Sequence, residues 1–251
     1  MAEEDPRSGG MLRGSSISSN FSSDERSLPG FTAICHTFSE TVDSDPTSLV
    51  TVDACERSVI LLTGGSSRRM GSDKARLDFG GSTLLTFQLE QIPSEFPVVV
   101  VGEPIDTLLI RPEITFTREN PAGAGPVAAL ASGLGLVTTP VIVLLAVDAP
   151  FALPRLLQRA LDPNSHALIP REPSGKVQFL AGLYRSESLR RALEQLGSPT
   201  NKSMRELITH LQSIDDLELS ADESQDFIDI DTPQDLVSAQ RILRMHPRVK
   251  P

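Results

Sequence analysis

Cysteine is almost missing from this chain: 251 residues hold only Cys35 and Cys55. A disulfide framework is excluded beyond one pair, and no Cys/His run has the spacing of a metal site. The four histidines (His36, His166, His210 and His246) are isolated, and none is assigned to catalysis. No apolar run reaches the ~20 residues of a membrane-spanning helix. The acidic start (Glu3, Glu4, Asp5) lacks the basic and apolar regions of a secretory leader. Basic charge is also short. With 23 Lys and Arg against 33 Asp and Glu, the net charge of −10 argues against broad contact with nucleic acid or an anionic membrane. These absences give the expectation of a cytoplasmic protein without a membrane or nucleic-acid partner. The two commonest phosphate motifs are missing as well: no Lys directly follows a last P-loop glycine, and no G-x-G-x-x-G occurs.

What is present changes character near residue 57. Residues 1–57 are rich in serine and carry ten acids against four bases, so they hold −6 of the total charge. Such a segment buries too little apolar surface to offset its ordering entropy, and it reads as a disordered extension. Residues 58–245 read as one globular domain, and 246–251 as a short tail. In the domain, apolar runs alternate with helical patterns. Strands are predicted over 59–62, 98–101, 141–147, 166–170, 179–184 and 227–230. Helices are predicted over 74–91, 125–136, 154–161, 186–196, 203–211 and 233–245. Runs without polar alternation imply strands covered on both faces. The expected class is α/β, a three-layer sandwich around a mostly parallel sheet.

The first chemical signal is Leu62-Thr63-Gly64-Gly65-Ser66-Ser67-Arg68-Arg69-Met70-Gly71-Ser72-Asp73-Lys74, directly after the 59–62 strand. Paired glycines let the backbone turn tightly against a ligand. Hydroxyls, Arg69 and Lys74 supply donors where a helix can begin, and a helix start attracts phosphate. Together these parts suit a nucleoside triphosphate. The second signal is Asp148, emerging after a seven-residue apolar run. A carboxylate placed there is costly unless it binds something. It can take magnesium, which one or two carboxylates hold together with substrate phosphates, or it can cap the helix near Pro150. Beside the glycine loop, the metal reading is preferred. The third is Asp229-Ile230-Asp231-Thr232-Pro233, where period two puts both aspartates on one face. Either Thr232 or Asp231 is suited to cap a helix beginning at Pro233.

The run from Leu62 to Lys74, L-x-G-G-x-S-x-R-M-G-x-D-K, resembles the signature loop of molybdenum cofactor guanylyltransferases and related nucleotidyltransferases. The resemblance extends over about residues 58–244. Asp229 to Pro233 is similar to the family's D-x-D/N-T-P segment, which implies Asp231 as the second metal ligand beside Asp148, with Asp229 in reserve. Glu119-Asn120-Pro121-Ala122-Gly123-Ala124-Gly125-Pro126 resembles the glycine-proline loop that lies against the nucleotide. Gly175 to Tyr184 resembles the G-R-x-Q-P-L-x-A-L-Y strand bordering the acceptor pocket, with Phe179 in place of the usual proline. Asn201 to Arg205 resembles the basic helix start downstream.

The resemblance implies transfer of GMP from GTP to molybdenum-bearing molybdopterin, with magnesium as cofactor and pyrophosphate released. Implied for the nucleotide are Leu62, Thr63, Gly64, Gly65, Ser67, Arg69, Lys74, Asn120, Gly125 and Pro126. Lys74, Arg69 and Asp148 are implied as catalytic groups, and Asp148 and Asp231 as metal ligands. Gln178 and Lys176 are implied for the acceptor, with Lys202 and Arg205 nearby. Molybdoenzymes or other cofactor-biosynthesis proteins are the partners it implies. A cytidylyltransferase acting on molybdopterin or another small phosphorylated acceptor is the alternative.

Overall fold

The computed structural model describes residues 56–64, 73–104 and 114–245. The proposed extension, apart from its last two residues, and the short tail lie outside them. β1 (Arg57–Leu62), β4 (Val98–Val101) and β6 (Val141–Ala146) are the longest apolar runs, and they form the parallel centre of a seven-stranded sheet. β5 (Thr115–Thr117) extends it beyond β4. On the other side follow β8 (Ala181–Arg185), β7 (Ala167–Arg171) and β9 (Ile214–Glu218), giving the order β5-β4-β1-β6-β8-β7-β9. Only β8 runs against its neighbours.

Alternation along the central strands separates two cores. Val59, Leu61, Val98, Val100, Val143 and Leu145 face α1 (Leu84–Leu89), α3 (Ala152–Leu157) and α6 (Pro233–Met245). Ile60, Leu62, Val99, Val101, Ile142 and Leu144 face α2 (Pro126–Leu134), α4 (Ser186–Leu196) and α5 (Met204–Ile208). Helices on both faces explain the unbroken apolar runs in these strands, and they make the three-layer α/β sandwich expected from the sequence. Gly133 brings α2 close to the sheet: a Cβ there would sit 2.9 Å from Val101 Cγ2 and 3.0 Å from Ile60 Cγ2.

Two segments differ from expectation. The predicted helix over 74–91 is interrupted. Lys74–Arg76 form one 3-10 turn, and a hairpin of β2 (Asp78–Phe79) and β3 (Ser82–Thr83) follows. Its turn residues, Gly80 and Gly81, have φ of 70° and 88°, a left-handed backbone that glycine adopts at low cost. α1 starts only after Thr83, whose Oγ1 accepts from Thr86 N at 3.1 Å. No α-helix therefore starts at Lys74, only the short 3-10 turn capped by Asp73. Residues 227–230 are not a strand either. They leave a 3-10 turn (Glu223–Phe227), and the Ile230 amide donates to the Asp148 carbonyl at 2.8 Å. Unforeseen were β5, β9 and the hairpin. In β9 the sequence Ile-Asp-Asp-Leu-Glu reads as solvated, and the strand pairs on one side only, with β7.

α5 is held by a capping box: Ser203 Oγ accepts from Glu206 N, and Glu206 Oε2 accepts from Ser203 N at 2.8 Å. The Ser203 backbone N–H first, then the Lys202 ammonium, lower the Glu206 carboxyl from 4.5 to about 2. A lowered carboxyl stabilises the fold above its unfolded pKa, and that contribution is lost as pH falls through the folded value. Melting temperatures of the wild type and Glu206→Gln should therefore differ at neutral pH and converge between pH 4.5 and about 2. A gap constant across that window would contradict the box.

Candidate active site

β1 sends the chain to β4 on one side, whereas β6 leads toward β7 and β8 on the other. Open α/β sheets bind ligands in the crevice at such a divergence, outside the carboxyl ends of the strands. Hydrogen bonds fix its floor. Val147 N donates to Leu62 O at 2.9 Å, and Thr63 N and Oγ1 both donate to Val101 O, at 3.0 and 3.1 Å. Leu62 and Thr63 are thus buried in a rigid ledge, and Gly64 emerges exposed. Gly65, Ser67 and Arg69 lie outside the described residues.

The glycine-proline loop forms a wall beside this ledge. Glu119 Oε1 accepts from Gly123 N at 3.0 Å, and a Cβ on Gly64 would lie 3.6 Å from the same oxygen. Gly125, at φ 96°, turns the chain into α2 with Pro126 at its start. Asn201 N donates to Ala124 O at 2.6 Å, joining the loop to the segment that begins α5. Asn120 is exposed on it.

Three site residues distant in sequence converge. Lys74 Nζ lies 2.8 Å from Asp148 Oδ2 and 2.7 Å from Asp231 Oδ1. Burial works against the charge on Lys74, but the hydrogen bonds and fields of the two carboxylates outweigh it and raise the ammonium above its ordinary value. Asp148 does not cap α3: the residue before that helix is Phe151, which makes no side-chain cap. Nor is Asp231 consumed by α6. Asp235 Oδ2 accepts from Thr232 N at 2.8 Å and from Asp231 N at 3.1 Å, while Thr232 Oγ1 accepts from Asp235 N. Capping by Thr232 and Asp235 leaves the Asp231 carboxylate facing Lys74.

Side chains that the sequence reading passed over hold this geometry. Phe79 after the Lys74 turn meets Phe87 of α1 edge-on at 4.6 Å, and both contact Phe151, three residues past Asp148. Gln88 Nε2 and Gln91 Nε2 donate to Ala149 O and Pro150 O at 3.2 and 3.1 Å. Buried Ile230 anchors the other aspartate segment, and Arg155 grips the turn ahead of it through Glu223 and Asp226, both at 2.7 Å. A glutamine inside the apolar run Leu-Leu-Thr-Phe-Gln-Leu was the available signal for Gln88.

The acceptor-side residues are already engaged. Lys176 Nζ is 2.8 Å from Asp229, and buried Gln178 donates to Glu172 at 2.7 Å and to Phe227 O at 3.1 Å. Burial first, then the nearby Asp148 and Asp231 charges, raise the Asp229 carboxyl against the pull of Lys176. Two clefts flank the segment carrying Asp229 and Asp231. One, of about 460 Å³, is lined by Pro126, Asp148, Gln178, Phe179 and Arg205; the other, of about 500 Å³, by Lys176, Glu172 and Ser224. The Arg205 guanidinium lies 5.5 Å over the Phe179 ring, while Lys202 pairs with Glu206.

The MobA-like NTP transferase domain family matches residues 59–215. A probable molybdenum cofactor guanylyltransferase of Mycolicibacterium paratuberculosis is 31% identical over 196 residues, covering 73% of this chain and 95% of that protein. Another from Natronomonas pharaonis is 29% identical over 203 residues, covering 75% and 98%. Among solved structures, molybdopterin-guanine dinucleotide biosynthesis protein A from Archaeoglobus fulgidus superposes with a TM-score of 0.58 at 26% identity, covering 75% of this chain and 99% of that one. The chain belongs to the MobA-like NTP transferase family.

The ledge makes its own prediction. A Cβ on Gly102 would fall 1.7 Å from Thr63 Oγ1. Gly102→Ala should cost ~1–3 kcal/mol or more in denaturant unfolding, as overpacking does. Adding Thr63→Ala should recover only the part due to that overlap, because Gly102 sits at φ 157° and the Thr63 Cβ, 3.1 Å away, remains. Simple additivity of the two changes would show that the contact is not the cause.

Proposed function

We propose that this member of the family transfers the GMP moiety of GTP to the phosphate of molybdenum-bearing molybdopterin, releasing pyrophosphate and forming the guanine dinucleotide cofactor. The observation that carries the reading is Lys74 held between Asp148, just past the carboxyl end of β6, and Asp231. Family membership gives the reaction class, and the names of the relatives support guanine nucleotide and molybdopterin as substrates.

An acceptor phosphate oxygen attacks the α-phosphorus of GTP. The bond from that phosphorus to the oxygen bridging the β-phosphate breaks, and pyrophosphate leaves with the electron pair. A phosphate monoester has a second pKa of ~6 and is largely ionised, so the nucleophile needs no general base. The requirement is to bring two anions together and neutralise the charge between them. Lys74 supplies a compact charge for the β- and γ-phosphates and then for the leaving group, and Arg69 a planar fork for the same oxygens. Leu62, Thr63, Gly64, Gly65 and Ser67 serve the nucleotide, as do Asn120, Gly125 and Pro126. Gln178 and Lys176 serve the acceptor side, joined by Arg205 over Phe179.

Magnesium fits the carboxylate pair. Asp148 and Asp231 are hard oxygen donors, and their carboxylates already share a cationic group, the Lys74 ammonium. Held by Asp148 and Asp231, the ion would offset negative charge on the phosphates.

The test is pyrophosphate release from GTP with magnesium and molybdopterin. Release should stop on chelation and should be much slower with CTP. Removing one preorganised charge-stabilising group typically lowers turnover ~10²–10³-fold, so Lys74→Ala and Asp148→Ala should fall by about that much, measured at a temperature where melting curves show each variant folded. Release that is preferred with CTP, or that survives both substitutions, would overturn the assignment.

A further inference from the structure

The Lys74 ammonium does more in this structure than wait for phosphates. It sits 2.7–2.8 Å from one oxygen of each carboxylate that would hold the metal. Its side chain is 12% exposed, whereas those of Asp148 and Asp231 are 25% and 57% exposed. The carboxylates are thus reachable from the crevice, and what occupies the space between them is a positive charge of the chain's own.

We propose that Lys74 and the divalent ion are alternative occupants of the Asp148–Asp231 pair, so that the ion enters only as nucleotide phosphates draw the ammonium away. The inference rests on the function proposed above and concerns how that site is loaded.

The argument is one of charge and space. Two carboxylates and one ammonium leave the cluster at −1, and each of the two contacted oxygens already accepts a short hydrogen bond. A small divalent ion needs such oxygens at about 2.0–2.1 Å. With the ammonium bonded to the same atoms, two like-charged groups would be crowded into one gap, where partial burial weakens solvent screening. A triphosphate changes the balance. Its oxygens are strong acceptors for a lysine, and it brings more negative charge than one carboxylate pair. Lys74 can then move from carboxylate to phosphate without becoming unpaired, and the vacated carboxylates are free for the ion.

The chain is built for such a movement. Lys74 lies in a 3-10 turn of only three residues, on a side chain with four rotatable carbons. The carboxylates are more firmly placed. Asp148 follows buried Val147 just past the end of β6, next to the loop held by Gln88 and Gln91, and Asp231 lies between buried Ile230 and the Thr232–Asp235 cap. Lys176 keeps the neighbouring Asp229 occupied, so the third carboxylate of the cluster offers no easier metal position.

The experiment measures Mn2+ binding to the full chain without nucleotide, by loss of the free-ion electron paramagnetic resonance signal. Lys74→Met removes the charge and should tighten Mn2+ binding at least tenfold relative to the wild type. Lys74→Arg keeps a cation on the pair and should bind as weakly as the wild type. Lys74→Met combined with Asp231→Asn should return to weak binding, which places the gained ion on the carboxylate pair. If Lys74→Met lowers the melting temperature, Lys74→Gln repeats the test with a neutral polar side chain. Equal Mn2+ affinity in the wild type, Lys74→Met and Lys74→Gln would overturn the proposal, as would equal tightening by methionine and arginine. Turnover plays no part in this readout. A chain that releases no pyrophosphate from GTP yet gains Mn2+ affinity loses the functional assignment and keeps the exchange; the reverse result does the opposite.

Discussion

Charge at the end of an apolar strand is what the rest of this molecule is arranged around. β6 carries six apolar residues and then Val147 before delivering Asp148 to the crevice, and a carboxylate leaving such surroundings needs a partner. Asp231 arrives beside it on another segment and sharpens the problem, because two like charges are now neighbours. Lys74 resolves it with a single ammonium. The same arithmetic makes the place useful. A carboxylate pair that calls for a cation is suited to take a metal ion, and a lysine that leaves it is suited to hold phosphate.

Much of the surrounding structure keeps these three groups in place. The hairpin after Lys74 packs Phe79 onto Phe87 and Phe151, so the lysine side and the Asp148 side share one aromatic cluster. Gln88, fully buried, holds a carbonyl next to Asp148. The Ile230 amide bonds the carbonyl of Asp148 itself, so one aspartate segment is positioned by the other. Packing and chemistry are therefore coupled through a few residues that would not touch substrate.

The sequence was most legible where one physical rule governs alone. Unbroken apolar runs marked β4 residue for residue and β1 and β6 nearly so, since strands covered on both faces have few polar positions to blur them. α4 and α6 were bounded correctly as well. Reading failed where local pattern and tertiary need disagree. Residues 74–91 have helical spacing, but the left-handed turn at Gly80 and Gly81 makes a hairpin instead. Ile230 between two aspartates alternates like a strand, yet its core contact and single bond to Asp148 need no sheet. Acid-rich β9 gave no apolar signal because its side chains alternate between partial and full exposure. At the site, motifs singled out Lys74, Asp148 and Asp231 and favoured ligation over capping for Asp148; that Thr232 and Asp235 share the cap at α6, leaving the Asp231 carboxylate out of it, was not legible. The pairing of Lys176 with Asp229 was invisible for a different reason: 53 residues separate them, and nothing local links them.

The most direct test of the central claim is a crystal structure with a non-hydrolysable GTP analogue and Mn2+, read by anomalous scattering. The account requires the manganese peak between the Asp148 and Asp231 carboxylates, with Lys74 Nζ moved onto the β- or γ-phosphate. A nucleotide bound with its metal away from both aspartates, or with Lys74 still bridging them, would contradict it.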